Sequence, residues 1–257
     1  MLLEADATDP AAAAMAVAQI KPIVDRTLAD IQIGSLDYLK PKPSSITTLV
    51  HNKYNPEGIS QFNIVPGLLG VILTMTMVMI TSIAMTREAE RGTMENLLAM
   101  PSKPLEVMIG KITPYVLMGL VQTMIILLAS NMLFHLPFVG SGSTFGLGVG
   151  LFILANLAIG FTFSTIAKSQ MQAMQLTFFF FLPSMLLSGF MFPFQGMPKW
   201  AQYLGEILPL THFLRIVRGI MLKGTSLSLL SNEFLALLAI LIIVGIIAML
   251  RYRQTLD

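Results

Sequence analysis

Residues 234–250 read FLALLAILIIVGIIAML, a run of 17 uncharged, almost wholly aliphatic residues that is closed by Arg251 and Arg253. A helix of about 17–25 such residues is long enough to cross the hydrocarbon core of a bilayer. The whole chain shares this bias, because 54% of its residues are hydrophobic, 12% are charged and the mean hydropathy is +0.74. A soluble domain carries about 25% charged residues, so the composition predicts a membrane protein.

Four further uncharged runs precede this one and complete the predicted bundle. Working back towards the N-terminus, they cover about residues 171–194, 145–167, 112–134 and 64–86. The first of these is the least regular, because Pro183, Ser188-Gly189 and Pro193 interrupt it. The predicted fold class is all-α, a polytopic membrane helix bundle with five transmembrane helices and a short polar N-terminal extracytoplasmic segment.

The polar segment is residues 1–63, in which a helix is predicted over residues 10–28 and a strand over residues 31–39. No basic stretch followed by an apolar one precedes it, so it does not begin like a secreted domain. We interpret it as the remnant of an extracytoplasmic domain and expect the natural protein to be longer. Unaided insertion with the N-terminus outside is the alternative.

Basic residues in short loops predict the orientation, because cytoplasmic loops are enriched in Lys and Arg. They cluster in the 87–111 segment, in the turn after the third run and in the tail: Arg87, Arg91, Lys103, Lys111, Lys168, Arg251 and Arg253. The loop 135–144 has none. These positions predict an N-terminus outside and a C-terminus in the cytoplasm. Lys199, Arg215, Arg218 and Lys223 oppose this, but they lie in a longer segment that we expect to be structured.

The segment 87–111 joins the first two spans and has its own pattern. Arg87, Arg91 and Glu95 are spaced at i, i+4 and i+8, so on a helix they share one face and can form ion pairs. Pro101 ends this segment and Pro104 opens the next helix. The pattern predicts a short amphipathic helix at the inner membrane surface. A solvated, charge-paired loop is an equally good interpretation of these residues alone.

Residues 195–232 are predicted to hold two short amphipathic helices at the outer face. An apolar stripe of the first recurs at helical spacing: Trp200, Tyr203, Leu204, Ile207 and Leu208. Pro198 precedes that helix, and Pro209 stops it. The second carries Arg215 and Arg218 opposite an apolar side, where the arginines could meet an anionic headgroup or reach along the helix to water.

The sequence lacks the motifs of several common enzyme and binding sites. The sequence contains no phosphate-binding G-x-x-x-x-G-K-[ST] loop, no H-E-x-x-H, no G-x-S-x-G and no cysteine. The histidines His51, His135 and His212 lack metal-ligand spacing, so no metal site is predicted. No basic tract suggests nucleic acid. An intramembrane hydrolase would need Ser164 or Ser188 to act without a nearby base.

The predicted spans contain no Asp, Glu, Lys or Arg, which weakens a proton-coupled secondary transporter as the alternative function. A non-transporting membrane scaffold remains a further alternative. Polar residues inside the spans are few. Gln122 and Asn156 are the candidates for a substrate path, although hydrogen bonding between helices is the commoner role of such amides.

Six short motifs lie in order along residues 55–253. They are Asn55-Pro56, Val65-Pro66-Gly67-Leu68, Arg87-Glu88-x-Glu90-Arg91-Gly92-Thr93-x-Glu95-Asn96-Leu97, Gly110-Lys111-x-x-Pro114-Tyr115, Gly189-Phe190-Met191-Phe192-Pro193 and Leu208-Pro209-Leu210-Thr211. Together they resemble the ABC-2 family of ATP-binding-cassette transporter permeases, of the bacterial exporter and multidrug type. Members of that family have six spans, and the five predicted here match the last five, within residues 64–253.

The resemblance implies a role for two of the segments above. The 87–111 segment would dock on a cytoplasmic ATPase subunit, with these residues coupling the two: Arg87, Glu88, Glu90, Arg91, Gly92, Thr93, Glu95 and Leu97. The outer helices would form a gate, for which the candidates are Trp200, Tyr203, Pro209, Arg215 and Arg218.

The resemblance also implies the function and the partners. The chain would be a permease subunit, not an enzyme, that exports a hydrophobic or amphipathic substrate across the bacterial inner membrane. It would bind no cofactor, because ATP and Mg²⁺ would sit on the partner ATPase. It would pair with a second copy or a paralogous permease, in contact with lipid and with no nucleic acid. A periplasmic adaptor is a further candidate partner.

Overall fold

The computed structural model describes residues 2–32, 49–90 and 104–254, in two compact units, Met1–Asn63 and Ile64–Asp257. In the first unit, strands β1 (Leu2–Asp6) and β2 (Leu49–Lys53) pair in parallel, and helix α1 (Pro10–Gln32) lies between them in the chain. The predicted helix over residues 10–28 is confirmed. It runs through the first two residues of the predicted strand 31–39, whose remainder lies outside the described residues. The two observed strands were not predicted, because each is short and its partner is far away in sequence.

Seven α-helices follow in the described part of the chain. They are α2 (Ser60–Glu90), α3 (Pro104–Phe134), α4 (Gly142–Ile166), α5 (Gln170–Leu187), α6 (Lys199–Glu206), α7 (Pro209–Lys223) and α8 (Ser231–Gln254). One turn of 3₁₀ helix, Phe194–Gly196, precedes α6. This unit is helical throughout, as the sequence predicted.

Among the described residues, four helices are long and apolar enough to cross a membrane. The segments are Ser60–Glu88, Gly110–Phe134, Gly142–Ile166 and Ser231–Arg251, which agree with four of the five predicted spans. The predicted span 171–194 is not among them, so the count of five is not confirmed. Helix α5 has only 18 residues and ends at Leu187. It stops there because the chain turns at Gly189, which has a φ of +85°.

Helix α7 lies inside this unit, packed by α4 and α8. Twelve of its 15 residues are buried, although the sequence predicted a helix lying at the membrane surface or dipping into it. The rings of Phe213 on α7 and Phe152 on α4 stack in parallel, with their centroids 3.9 Å apart. The left-handed Gly224 (φ +62°) ends α7.

Glycines bring the helices of this unit into close contact. A Cβ added to Gly160 of α4 would lie 2.7 Å from the carbonyl oxygen of Val78 on α2. A Cβ on Gly148 would lie 2.9 Å from Ile216 Cγ2 on α7. Small residues at such contacts let helix backbones approach. Because no hydrophobic force drives helices together in lipid, this close packing is what stabilises their association.

We predict that Gly160→Ala destabilises the protein, because the added methyl group meets backbone that has no side-chain rotamer to change. Overpacking of this kind costs about 1–3 kcal/mol. Gly150→Ala is the matched control on the same helix, since nothing lies within 4 Å of its Cβ position. The measurement is the melting temperature of the purified chain in detergent. Equal melting temperatures for the two variants would contradict the close α2–α4 contact.

Candidate functional site

At one end of the helical unit, which we call the coupling end, the last turn of α2 is tied to two other helices. Glu88 forms an ion pair with Lys111 of α3. Glu90 accepts hydrogen bonds from Gln170 at the start of α5, from the backbone N–H at 2.8 Å and from the side-chain Nε2 at 2.5 Å. These hydrogen bonds lower the pKa of the Glu90 carboxyl. The base of the predicted coupling segment is thus fixed to both α3 and α5.

The structure places only part of the predicted coupling set. Arg87, Glu88 and Glu90 continue the helix of the first span, and Arg87 is exposed. Arg91, Gly92, Thr93, Glu95 and Leu97 lie outside the described residues. Pro104 opens α3, as predicted.

At the opposite end, charged residues of α6, α7 and α8 meet in a group that we call the outer cluster, after the outer face that the sequence predicts for this segment: Glu206, His212, Arg215 and Glu233. Arg215 donates to both carboxylate oxygens of Glu206, at 2.5 and 3.1 Å, and to Glu233 at 3.3 and 3.4 Å. Its guanidinium also lies 4.6 Å from the centroid of the Phe194 ring. Arg215 therefore holds three helices and the 3₁₀ turn together.

His212 occupies the buried side of the outer cluster. Its Nδ1 lies 2.6 Å from Glu233 Oε2, and its Nε2 lies 2.9 Å from the backbone oxygen of Glu206. Burial alone would lower the pKa of His212, but these hydrogen bonds and the two carboxylate charges outweigh burial and raise the pKa above its ordinary value.

The other candidate gate residues fall into two groups. Arg218 donates to the carbonyl oxygen of Gly189 at 3.1 Å, and Pro209 is buried at the first position of α7. Trp200 and Tyr203, by contrast, are 64% and 71% exposed. Helix α6 turns its small residues to the protein and its apolar stripe outwards. The structure therefore brings Arg215 into the outer cluster and leaves the two aromatic residues on the surface.

The two candidate path residues have different surroundings. Gln122 of α3 is half-buried, and its Oε1 accepts from Thr76 Oγ1 of α2 at 2.9 Å. Asn156 of α4 is fully buried. Its Nδ2 donates to the Phe152 carbonyl at 2.8 Å, and its Oδ1 finds no donor among the described residues.

Sequence reasoning missed Glu206, His212 and Glu233. The spacing of His212 from the other two histidines carries no signal. The only signal for the cluster is Pro209, which breaks the helix between Glu206 and His212 and lets the chain fold back. No group of three or more His, Cys, Asp or Glu side chains in the described ranges has a geometry that could hold a metal ion.

Comparisons with known proteins agree on one family. The profile of the family described as "ABC-2 type transporter" matches residues 42–222. The "Probable multidrug ABC transporter permease YbhR" of Escherichia coli K12 is 34% identical over 215 residues, which cover 84% of this chain and 58% of that protein. The "Inner membrane transport permease YhhJ" of the same organism is 36% identical over 194 residues, 74% of this chain and 52% of that protein.

A eukaryotic protein extends the similarity. "ABC transporter G family member 20" of Dictyostelium discoideum is 27% identical over 215 residues, 81% of this chain and 29% of that protein. This chain thus spans a little over half the length of its bacterial relatives. Because the family profile covers well over half of the sequence, the chain belongs to the ABC-2 type transporter family.

Proposed function

We propose that this chain is the membrane part of an ABC exporter of the bacterial inner membrane. It moves a hydrophobic or amphipathic substrate, and a separate cytoplasmic subunit binds and hydrolyses the ATP. Family membership and relatives that are named multidrug ABC transporter permeases support this proposal. Four described helices that are long and apolar enough to cross a bilayer support its place in the membrane.

The observation that carries the mechanism is the double attachment of the last turn of α2. A push on the segment that follows Glu90 reaches α3 through Glu88 and Lys111, and reaches α5 through Glu90 and Gln170. Helix α2 also joins α5 further along, where Ser82 Oγ and Thr177 Oγ1 lie 3.0 Å apart. Closure of the ATPase subunits would therefore move three helices as one body and alternate the access of the pathway.

Two copies of the chain, or one copy and a paralogue, would form the pathway. A half-buried amide in a membrane span needs a polar partner, since an unpaired amide in apolar surroundings costs about 1–3 kcal/mol. The contact with Thr76 engages one end of the Gln122 amide, and the side chain stays partly exposed. We propose that the exposed end of this amide faces the pathway, whereas the buried Asn156 serves helix packing. A path with few polar groups favours lipid-like substrates.

The first test is co-purification of the chain with the ATPase subunit encoded beside it, followed by ATPase measurement in lipid vesicles. The unmodified chain is expected to bind and stimulate hydrolysis. Glu95→Arg should abolish the stimulation without unfolding the chain, because it reverses a charge in the proposed docking segment. Glu57→Arg, an exposed reversal outside that segment, is the control. Binding without any stimulation would support a scaffold instead, and unchanged stimulation in Glu95→Arg would remove the coupling assignment.

A charge swap tests the link between α2 and α3. Glu88→Lys and Lys111→Glu should each lower substrate-stimulated ATPase activity by about two- to fivefold, the scale of a partly exposed ion pair. The double variant restores the pair and should recover most of that activity. If the double variant is no better than the single ones, the ion pair is not part of the coupling path.

Gln122→Leu should change the order in which a panel of amphipathic substrates stimulates the ATPase, with the basal rate unchanged. Asn156→Leu should instead lower the melting temperature, because the side chain is enclosed and Leu has a different shape. Both measurements use the same vesicle and detergent samples. An unaltered substrate order in Gln122→Leu would place the pathway elsewhere.

A further inference from the structure

His212 lies where α6, α7 and α8 meet, and both of its ring nitrogens face hydrogen-bond acceptors. The partner of Nδ1 is the carboxylate of Glu233, and the partner of Nε2 is the backbone oxygen of Glu206. A neutral imidazole carries one N–H, so it can donate to only one of them. Only the protonated ring donates to both, so the placement of the two acceptors favours imidazolium.

The charges around His212 favour the same state. Glu206 faces it from α6, Glu233 from α8, and Arg215 lies one turn along its own helix. Helices α4 and α5, which also pack on α7, contain no Asp, Glu, Lys, Arg or His. Helix α2 meets α7 near Gly70, and its charged residues lie at its far end, within residues 87–90. With His212 protonated the outer cluster holds two positive and two negative charges. Loss of the proton leaves a net negative charge in a partly buried site.

The contacts of the outer cluster hold α6 and α8 in place. Helix α6 ends at Glu206, whose side chain binds Arg215 and whose carbonyl accepts from His212. Thr211 Oγ1 adds a hydrogen bond of 2.6 Å to the Gly205 carbonyl. Helix α8 begins beside Glu233, which binds both His212 and Arg215. Histidine is the one member of this group that ordinarily changes its charge between pH 5 and 8.

We propose that His212 is a proton-controlled latch, closed when its ring is protonated, that holds α6 and α7 to α8 at this end of the protein. Deprotonation removes one of its two donated hydrogen bonds and unbalances the charges, so α6 loosens. The proposal concerns a regulatory device and does not depend on an ATPase partner.

The direction of the pH dependence follows from the raised pKa of His212. The stabilisation is complete below the ordinary histidine value of about 6.5, and it is lost as the pH rises through the higher value of the folded state.

The chain provides its own reporter for this experiment. Trp200 on α6 is its single tryptophan, and its fluorescence is followed from pH 5.5 to 9 in the purified chain. The unmodified protein should show one transition above pH 6.5. A nitroxide on Tyr203→Cys, in a chain that has no native cysteine, should gain mobility over the same range.

The controls assign the transition to one residue. The double variant His51→Gln/His135→Asn leaves His212 as the only histidine and should keep the transition; Asn suits position 135, where φ is +49°. His212→Gln should abolish it. Glu233→Gln should move the midpoint down by about one pH unit, because it removes a neighbouring negative charge.

Three results would overturn the latch. They are a flat response of the unmodified protein, a transition that survives in His212→Gln, and a transition that disappears in the double variant. If His212→Gln does not fold, the double variant and the Glu233→Gln shift still decide the question. None of these measurements uses ATP, so their failure is separate from failure of the proposed function.

Discussion

Close contact between helix backbones is the constraint on which the rest of the structure depends. In lipid, apolar side chains gain little by leaving their surroundings, so helices associate through packing and hydrogen bonds. Gly160 meets the backbone of α2, and Gly148 admits Ile216 of α7. These close contacts let α4 lie at the centre of the unit. They also let the short helix α7 be enclosed instead of resting on the surface. The outer cluster is formed only because α7 is held inside.

Helix α6 also depends on close packing, but its small residues face the protein and its large residues face outwards. Its inner face is made of Ala201 and Gly205, and a Cβ on Gly205 would lie 2.6 Å from the Leu187 carbonyl. Its large residues face outwards, with Tyr203 71% exposed. In a water-soluble protein such a helix would turn its large apolar residues inwards. Next to lipid an apolar outer face is favourable, and the small residues of the inner face allow close packing. This arrangement fits the position at a membrane face that the sequence predicted for this helix.

Local sequence properties predicted the local features well. Hydropathy placed four spans to within a few residues, and Pro198 and Pro209 marked the two ends of α6, because both signals act over one or two helical turns. Contacts across the chain could not be predicted in this way. Nothing in the sequence near Glu233 indicates that it meets His212, 21 residues earlier. Likewise, nothing near Gln170 indicates its hydrogen bonds to Glu90. The sequence overestimated the length of α5, because apolar residues continue past the turn at Gly189.

Helix α2 is the element that relates the two ends of the unit. From residue 64 to residue 90 it extends about 40 Å, at 1.5 Å per residue. At the coupling end it binds α3 and α5, and towards the other end Gly67 and Gly70 lie against Phe190 and Leu210. Glycine at these two positions lets the backbone of α2 lie directly against the side chains of Phe190, in the segment after α5, and Leu210, at the start of α7. A displacement of α2 along its axis would therefore act directly on α7, and through His212 and Arg215 on α6 and α8. In the proposed transporter, a movement of the coupling segment and a change of proton occupancy at His212 would thus act on the same helices from opposite ends.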